Sequence, residues 1–299
     1  MANRFLVVFN PKSGKQQAES TLRRIRESFS NVRAEVDLSV WEQPEDLPEI
    51  MAEALARGYS GIFSAGGDGT AHHIGKYLVG TELPLGFIPV GTGNALANHL
   101  QLPLSLKVAV QLMDDYQTIS IDTGLLNEHP FLSTFGIGID AVVAHRFKGG
   151  QKRGFAKYVF YALRDYNAYQ PEDLLLLLES GKTLALKPHL VAAMNSSQFG
   201  NNAIMARGAS VQDGLLDLIW VKGPSFLRAP EVIARIFQGK LDSASYYFRL
   251  QENSFRIRRP KEGPAQVDGE AIFTPAECRV KCVPNSLNVL VPAGYNLSV

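Results

Sequence analysis

The segment Gly61-Ile-Phe-Ser-Ala-Gly-Gly-Asp-Gly-Thr70 holds a buried strand, a glycine-rich loop and the start of a helix. The apolar run Gly61 to Ser64 predicts the strand, and the spacing from Thr70 to Leu78 predicts the helix. The adjacent glycines let a backbone approach a bound anion closely, Asp68 can hold Mg²⁺ beside a triphosphate, and Thr70 can cap the helix. We therefore interpret the segment as a phosphate-binding loop, although an ordinary Asp-Gly turn would explain part of the pattern.

Strand and helix patterns alternate on both sides of this loop up to about residue 120. The predicted strands are Phe5 to Phe9, Ala34 to Val40, Gly61 to Ser64 and Leu85 to Pro89. The predicted helices lie within residues 15–26, 45–57, 70–78, 93–100 and 104–113. Such alternation predicts a Rossmann-like α/β domain with a parallel sheet between helices, and it places the ligand at the carboxyl ends of the strands.

Two further loops follow strands of the same predicted sheet. Asn10-Pro-Lys-Ser-Gly14 follows the first strand and opens a helix, where backbone N–H groups and the helix dipole attract phosphate. Pro89-Val-Gly-Thr-Gly-Asn94 follows the fourth strand and offers the Thr92 hydroxyl and the Asn94 amide to phosphate or ribose. Each loop alone is compatible with an ordinary turn. Three loops at the carboxyl ends of one sheet indicate a common phosphate-binding crevice.

The alternation stops after Ile119-Ser-Ile-Asp122, so we place domains at 1–122 and 123–299, with the last residues free to return to the first domain. Short apolar runs then predict a mostly β domain with helices at 155–166 and 230–238. The predicted strands are 174–179, 190–195, 214–221, 254–258, 265–267, 277–283 and 287–290. Gly136-Ile-Gly-Ile-Asp-Ala141 fits a relaxed dinucleotide fingerprint, but no βαβ unit follows, so we interpret it as a turn that begins the second domain.

Two acidic turns of the second half carry candidate chemistry. In Ser210-Val-Gln-Asp-Gly-Leu-Leu-Asp217, the side chains of Ser210 and Asp213 and a nearby backbone carbonyl offer oxygen ligands for a hard cation. A solvated hairpin explains the same residues nearly as well. In Asp268-Gly-Glu270 the acids are two residues apart, so on a strand both would point to one face, as a base and its electrostatic neighbour.

The composition is that of a two-domain globular protein. The chain has 299 residues, with 30 Lys and Arg against 29 Asp and Glu and a net charge of +1, so its charge does not call for nucleic acid as a partner. Cys278 and Cys282 are too few for a tetrahedral zinc site and predict reduced thiols, which favours the cytoplasm. We expect no signal peptide and no transmembrane segment, because the apolar runs are too short.

The ordered set of motifs resembles the diacylglycerol kinase catalytic-domain family, which includes soluble bacterial lipid kinases and sphingosine and ceramide kinases. The resemblance covers nearly the whole chain. It implies an N-terminal, NAD-kinase-like nucleotide domain and a C-terminal β-sandwich that receives the lipid. It also implies ATP and Mg²⁺ as cofactors and transfer of the γ-phosphoryl group to a lipid hydroxyl. The matching motifs are Asn10 to Gly14, Gly66 to Thr70, Gly91 to Asn94, Asp213 to Asp217 and Asp268 to Glu270.

The resemblance also implies roles for individual residues. Glu270 matches the family's proton acceptor, with Asp268 beside it, and Asp68 would offset developing charge together with Mg²⁺. Ser210, Asp213 and the carbonyl of Leu215 match a structural magnesium site of bacterial members. The positions that match ATP-binding loops are Asn10, Pro11, Lys12, Ser13, Gly14, Ser39, Gly66, Gly67, Asp68, Gly69, Thr70, Gly91, Thr92, Gly93 and Asn94.

Two positions depart from the family pattern. His73 stands where the family usually has Glu, and Ala95 stands where the diacylglycerol branch has Asp, which is nearer to the sphingosine kinase pattern. Diacylglycerol, a sphingoid base and other lipids therefore all remain open as acceptors. Two further interpretations also stay open: a soluble-substrate kinase of the NAD kinase type, and a lipid-binding regulator that has lost catalysis.

Two basic clusters are candidates for contact with a membrane. One runs from His145 to Lys157 with interleaved phenylalanines. Basic side chains are attracted to anionic leaflets, although a solvated basic surface explains the clusters equally well. We expect a cytoplasmic protein in peripheral, transient contact with the inner membrane face, and a homodimer stays open. The second cluster consists of Arg256, Arg258, Arg259 and Lys261.

Overall fold

The first half of the chain folds around a parallel sheet that contains the apolar run near the N-terminus. The computed structural model describes residues 3–13, 18–91, 93–147 and 155–296, and in it Phe5 to Phe9 are buried within β1 (Arg4–Phe9). Continuous burial is typical of parallel strands covered by helices. The order is β2–β1–β3–β4–β16. The other strands are β2 (Glu35–Val40), β3 (Gly61–Gly66), β4 (Leu85–Pro89) and the end of β16 (Glu277–Pro292).

Helices alternate with these strands, and their apolar side chains complete a core. Phe5, Phe63, Ile88 and Leu290 are among its fully buried members. The predicted α/β class of the N-terminal half is therefore confirmed. The helices are α1 (Ala18–Ser28), α2 (Asp46–Ala56), α3 (Asp68–Leu78), α4 (Ala95–His99) and α5 (Leu106–Gln111), with a 3₁₀ turn at Phe29–Asn31, and β5 (Tyr116–Leu126) follows them.

The second half forms two antiparallel sheets. The strands and helices are β6 (His129–Phe131), β7 (Thr134–Gly138), α6 (Ile139–Arg146), α7 (Phe155–Tyr166), β8 (Leu174–Leu178), β9 (Thr183–Leu186), β10 (Leu190–Met194), β11 (Leu216–Val221), α8 (Ala229–Phe237), β12 (Tyr247–Glu252), β13 (Ser254–Arg258), β14 (Gly263–Val267) and β15 (Glu270–Thr274). One sheet has the order β12–β11–β10–β7–β14–β15, and in the other β9, β8, β13 and β16 are neighbours. Phe135, Leu176, Trp220, Phe255 and Val280 share one buried core drawn from both sheets, which confirms the β-sandwich.

The chain divides into two compact units that share one long strand. One unit is Met1–Ile121 with Asn285–Ser298, and the other is Asp122–Pro284. Strand β16 pairs with β13 through its first half and with β4 at Val289. A single strand therefore takes part in a sheet of each unit. Its Cys278 and Cys282 are buried free thiols. Within the described ranges, no helix combines the length and the apolar character needed to cross a bilayer.

Three predicted elements differ from the structure. The segment Gly136 to Ala141 is not a simple turn, because β7 ends at Gly138 and α6 begins at the next residue. Gly138 allows this change of direction: its φ is 125°, and a Cβ there would lie 2.3 Å from the carbonyl oxygen of His189. The runs 277–283 and 287–290, which were predicted as two strands, belong to the single strand β16. Strands β5, β6, β7, β9, β12 and β15 were not among the predicted strands.

Candidate active site

Thr70 joins the first glycine-rich loop to the second. Its side chain is buried, and its Oγ1 lies 3.2 Å from Asn10 Nδ2, which donates to it, and 3.0 Å from Ser13 Oγ. A Cβ on Gly66 would lie 2.2 Å from Thr70 Oγ1, so only glycine leaves room for this arrangement. The end of β1 and the start of α3 are thereby held together.

The predicted capping role of Thr70 is wrong. Helix α3 begins two residues earlier than predicted, at Asp68, and Gly67 occupies the cap position with an extended backbone. The amide of Ala71 donates to the Gly67 carbonyl at 3.0 Å, as expected for the first turn of the helix. The hydroxyl of Thr70 is instead used in the contact with the first loop.

Asp68 joins the second loop to the third. Its Oδ1 accepts a hydrogen bond from the amide of Ala95, the first residue of α4, and a Cβ on Gly93 would lie 2.0 Å from its Oδ2. The two backbones are also in direct contact, because a Cβ on Gly91 would lie 2.5 Å from the Cα of Gly67. Any amino acid except proline offers the backbone N–H used at position 95, so the departure to Ala95 leaves this contact intact.

Two amide side chains shape the third loop. Asn94 adopts a left-handed conformation with φ of 52°, and its Nδ2 donates to the carbonyl of Gly91 at 3.1 Å. Asn98, which the sequence did not single out, donates from Nδ2 to the carbonyl of Gly93 at 2.9 Å. Asparagine tolerates the left-handed region better than other residues with a Cβ. These two hydrogen bonds hold the loop at Gly91 and at Gly93.

The three loops lie at one edge of the sheet. Phe9 pairs with Ala65 and Gly66 pairs with Pro89, so β1, β3 and β4 end side by side. Ser39 lies opposite Val8 near the same end of β2. This edge can hold polyphosphate, because it presents glycine backbones, clustered hydroxyls and a helix N-terminus. Two predicted members of the loops, Gly14 and Thr92, lie outside the described residues.

His73 contacts an aromatic ring that the sequence did not indicate. The imidazole lies edge-on to Trp41, with ring centroids 5.3 Å apart, and the neighbouring His72 is buried. Trp41 follows β2 directly, and its amide donates to the carbonyl of Phe9 at 2.8 Å. His73 stands where the family usually has Glu. From α3, its side chain therefore packs against Trp41 at the end of β2.

Asp268 and Glu270 do not share one strand, which corrects the predicted geometry. Val267 pairs with Glu270, so Asp268 and Gly269 form the two-residue turn between β14 and β15. Both turn residues have positive φ, 47° and 81°, as a type I′ hairpin requires. Glu270 is the first residue of β15 and is half-buried. The Asp-Gly pair is a hairpin signal that could have given this turn from the sequence.

The carboxylate of Asp268 is held by backbone amides. Its Oδ2 accepts from Leu132 N at 2.7 Å, and its Oδ1 accepts from Ser133 N and Thr134 N at 2.8 Å each. Its own amide donates to the Thr134 carbonyl. These bonds anchor the turn that precedes Glu270. The anchoring amides belong to residues 132–134, where β7 begins.

We expect Asp268→Ala to destabilise the second unit, because it leaves three part-buried amides without their acceptor. Unsatisfied amides cost about 1–3 kcal/mol, so the free energy of unfolding should fall by about 3 kcal/mol. Urea unfolding followed by tryptophan fluorescence measures the loss. Asp268→Asn, which keeps one acceptor oxygen, should lose less. An unchanged unfolding midpoint in both variants would show that water replaces the carboxylate at no cost.

Asp140, at the start of α6, is a buried acid that the sequence analysis did not use. It is 3% exposed, and its Oδ2 accepts from Gln266 Nε2 at 3.2 Å. Among the residues that the structure describes, its Oδ1 has no hydrogen-bond partner. Burial raises the pKa of Asp140 to about 7, against the smaller opposing effect of hydrogen bonds from Ala141 and Gln266. Gln266 also accepts from the amide of Gly269 at 2.8 Å, so Asp140 is linked to the same hairpin turn.

We expect Asp140→Asn to stabilise the protein increasingly as the pH rises. The folded state keeps the proton of Asp140 up to about pH 7, whereas the ordinary pKa is 3.8, so the wild type loses stability between these values. The gain of the variant should rise from near zero below about pH 4 to on the order of 4 kcal/mol at about pH 8. Unfolding curves across this range measure it, with the exposed Asp173→Asn as control. A gain in the free energy of unfolding that does not change with pH would contradict the raised pKa of Asp140.

The predicted cation loop is closed by its own hydrogen bonds. Ser210 Oγ accepts from Gln212 N at 3.2 Å, and Asp213 Oδ1 accepts from Leu215 N at 3.0 Å. Asp122 approaches the same loop, since its Oδ2 accepts from Gly214 N at 2.7 Å. In the described part of the chain, no three His, Cys, Asp or Glu side chains form a metal-binding group. A site here would therefore rely on hydroxyl and carbonyl oxygens as well as on carboxylate.

One member of the second basic cluster is not on the surface. The Arg259 side chain is 1% exposed and forms a two-pronged ion pair with Glu172, at 2.9 and 2.6 Å. It also donates to the carbonyl of Pro264 and to Thr274 Oγ1 at 3.0 Å each. Its predicted place in a membrane-facing cluster is therefore wrong, because burial and pairing remove its charge from solvent. Most of the other cluster, residues 148–154, lies outside the described residues.

Both halves of the chain match known family models. The model of the diacylglycerol kinase catalytic domain matches residues 4–126, and that of the YegS C-terminal NAD kinase beta sandwich-like domain matches residues 133–291. The second match alone covers more than half of the chain. The protein belongs to the family of lipid kinases that join these two domains, which confirms the family inferred from the motifs.

Several known proteins are similar to this chain over nearly its whole length. A diacylglycerol kinase of Mycobacterium tuberculosis is 26% identical over 95% of this chain and 93% of its own length. A protein of Pseudomonas putida named "Probable lipid kinase YegS-like" is 27% identical over 95% of each chain. The crystal structure of a diacylglycerol kinase from Bacillus anthracis has the same fold, with a TM-score of 0.74, 19% identity and 98% of each chain covered.

Proposed function

We propose that this protein transfers the γ-phosphoryl group of ATP to a hydroxyl group of a lipid, either diacylglycerol or a sphingoid base or related lipid. The observation that carries the proposal is the joining of three glycine-rich loops at one sheet edge by Thr70 and Asp68. Phosphoryl transfer needs mainly positioning and neutralisation of charge, and loops joined by hydrogen bonds would supply the positioning.

The residues at the carboxyl edge of the parallel sheet fit a nucleoside triphosphate. The close approach of Gly67 and Gly91 leaves this part of the edge without covering side chains, and the Gly91 amide donates to the Gly66 carbonyl at 3.0 Å. Asn10, Ser13 and Thr70 add a cluster of polar side chains. ATP would supply the transferred group, with Mg²⁺ to offset its charge. Asp68 would bind such an ion, and it also holds the third loop through the amide of Ala95.

Glu270 would accept the proton of the lipid hydroxyl. Its place directly after the anchored turn fixes its backbone, because Asp268 ties that turn to three amides. In this proposal Asp268 positions the base and does not itself take the proton. A lipid hydroxyl is barely acidic, so the reach of the base matters more than its pKa.

We also propose a structural Mg²⁺ site at the loop of the second unit. Ser210, Asp213 and the carbonyl of Leu215 supply the neutral and charged oxygens that Mg²⁺ prefers. Each side chain already accepts a hydrogen bond from the amide two residues further on, Ser210 from Gln212 and Asp213 from Leu215. The ion would stabilise the loop and take no part in the reaction.

One assay tests the proposed function. The purified protein is incubated with labelled ATP and Mg²⁺ together with a panel of micellar lipids or NAD, and the labelled product is identified. We expect a phosphorylated lipid. Phosphorylation of NAD alone would indicate an NAD kinase. Binding of lipids without any transfer would indicate a catalytically inactive regulator, the outcome that the departure at His73 leaves open.

A further inference from the structure

The outer surface of the β8–β13–β16 sheet is basic. Along these strands alternate residues enter the core, so the residues between them point outward. The outward side chains of Arg256, Arg258, Arg279 and Lys281 are exposed. We call this surface the basic face, and its members are Leu175, Leu177, Arg256, Arg258, Arg279 and Lys281.

The basic face holds more positive charge than its acids balance. Arg256 lies directly opposite Arg279 across the two strands, a like-charge arrangement that weakens a sheet. Glu277 is shared by three guanidinium groups, at 3.0 Å from Arg258 and 3.7 Å from each of the other two. Glu179 lies on the same surface, and the neighbouring Asp173 and Lys187 form an ion pair that cancels. Among the described residues, the four basic side chains, Glu179 and Glu277 therefore leave a net charge of +2. This excess of positive charge suits an anionic partner.

Aliphatic side chains lie among these cations. Leu175 pairs in register with Arg258 and is 41% exposed, and Leu177 pairs with Arg256 and is half-buried. A recess of about 470 Å³ adjoins Leu175 and Arg258, and Leu186 and Lys187 also line it. Aliphatic carbon next to guanidinium suits the boundary between lipid headgroups and acyl chains. A single-stranded nucleic acid would instead favour aromatic rings for base stacking.

We propose that the basic face docks the protein on a bilayer that contains anionic lipid. The arginines contact the headgroups, and Leu175 reaches the outer acyl boundary. The proposal rests on the proposed function in one respect, because docking gives the enzyme access to an acceptor dissolved in the bilayer. The binding itself needs neither ATP nor catalysis, so the two proposals can fail separately.

Sedimentation of the full chain with vesicles tests the docking. We expect binding to phosphatidylcholine vesicles that contain phosphatidylglycerol, weak binding to pure phosphatidylcholine, and a loss of binding as salt is raised. Each basic residue near an anionic surface contributes about a five-fold change in affinity, so Arg279→Glu should weaken binding at least about five-fold and Arg256→Glu/Arg279→Glu at least about 25-fold. Both variants should fold, since both positions are exposed. Arg279→Glu replaces the like-charge pair with an opposite-charge pair, and the double variant exchanges one like-charge pair for another.

Arg23→Glu is the matched control. Arg23 and Arg279 are 75% and 76% exposed, and each lies 3.7 Å from a glutamate, but Arg23 is on α1 and not on the basic face. Equal weakening by the two single variants would overturn the proposal, as would binding without preference for anionic lipid. Release of the protein from vesicles by polyuridylate at equal charge would assign the face to nucleic acid instead. Arg279→Glu should still phosphorylate a lipid in neutral detergent micelles. A wild-type protein that binds anionic vesicles but phosphorylates no lipid in micelles would count against the catalytic proposal alone.

Discussion

Replacing Glu270 with Gln should lower kcat for lipid phosphorylation by about 10²–10⁴-fold, which is the usual contribution of a positioned general base. The amide has nearly the shape of the carboxylate but cannot take a proton from the lipid hydroxyl. Glu270 begins β15 after a turn fixed by Asp268, so the substitution leaves the backbone in place. We therefore expect the affinity for ATP and the melting temperature to stay close to those of the wild type.

Rates under saturating ATP and micellar lipid measure this effect, and binding of a fluorescent ATP analogue is measured in parallel. Glu128→Gln is the matched control, because Glu128 is an exposed acid at the turn between β5 and β6 of the same unit. Wild-type turnover by Glu270→Gln would remove this residue from the mechanism. A joint loss of ATP binding and turnover would point to a nucleotide-binding role instead.

The nucleotide half could be predicted from the sequence because its signals are local. Each phosphate loop directly follows an apolar strand, and glycine, hydroxyl and carboxylate groups are adjacent within Gly66 to Thr70. The hydrogen bonds between the loops could not be predicted. Thr70 meets Ser13 across 57 residues, and Asp68 meets Ala95 across 27, and both contacts arise only from the order of strands in the sheet.

The β-rich half was predicted less completely, because polar pairs interrupt its apolar pattern. Strand β12 contains Arg249, which forms a 2.6 Å ion pair with the buried Asp217 of β11. A buried pair of this kind replaces the apolar alternation that marks a half-buried strand. Asp268 illustrates the same limit at the site. Its partners Leu132 to Thr134 are more than 130 residues away, so its anchoring role has no local signal.

Asp68→Asn should lower kcat for lipid phosphorylation by about 10²–10³-fold, the usual effect of removing one electrostatic contact to the reacting groups. The Asn side chain keeps an oxygen that can accept from the amide of Ala95, so the second and third loops stay joined. Only the negative charge is lost. Because that charge is proposed to bind Mg²⁺ beside the triphosphate, the variant should also need more Mg²⁺ for half-maximal rate.

Asp68→Ala separates the two roles of this carboxylate. It removes the charge and also the acceptor for Ala95, so α4 loses its tie to the second loop and KM for ATP should rise as well as kcat fall. Rates measured over a grid of ATP and Mg²⁺ concentrations distinguish the variants: the Asn form should lose kcat with nearly unchanged KM for ATP, and the Ala form should lose both. If the Asn form keeps wild-type kcat while the Ala form fails, Asp68 acts by holding the loops together and not through its charge.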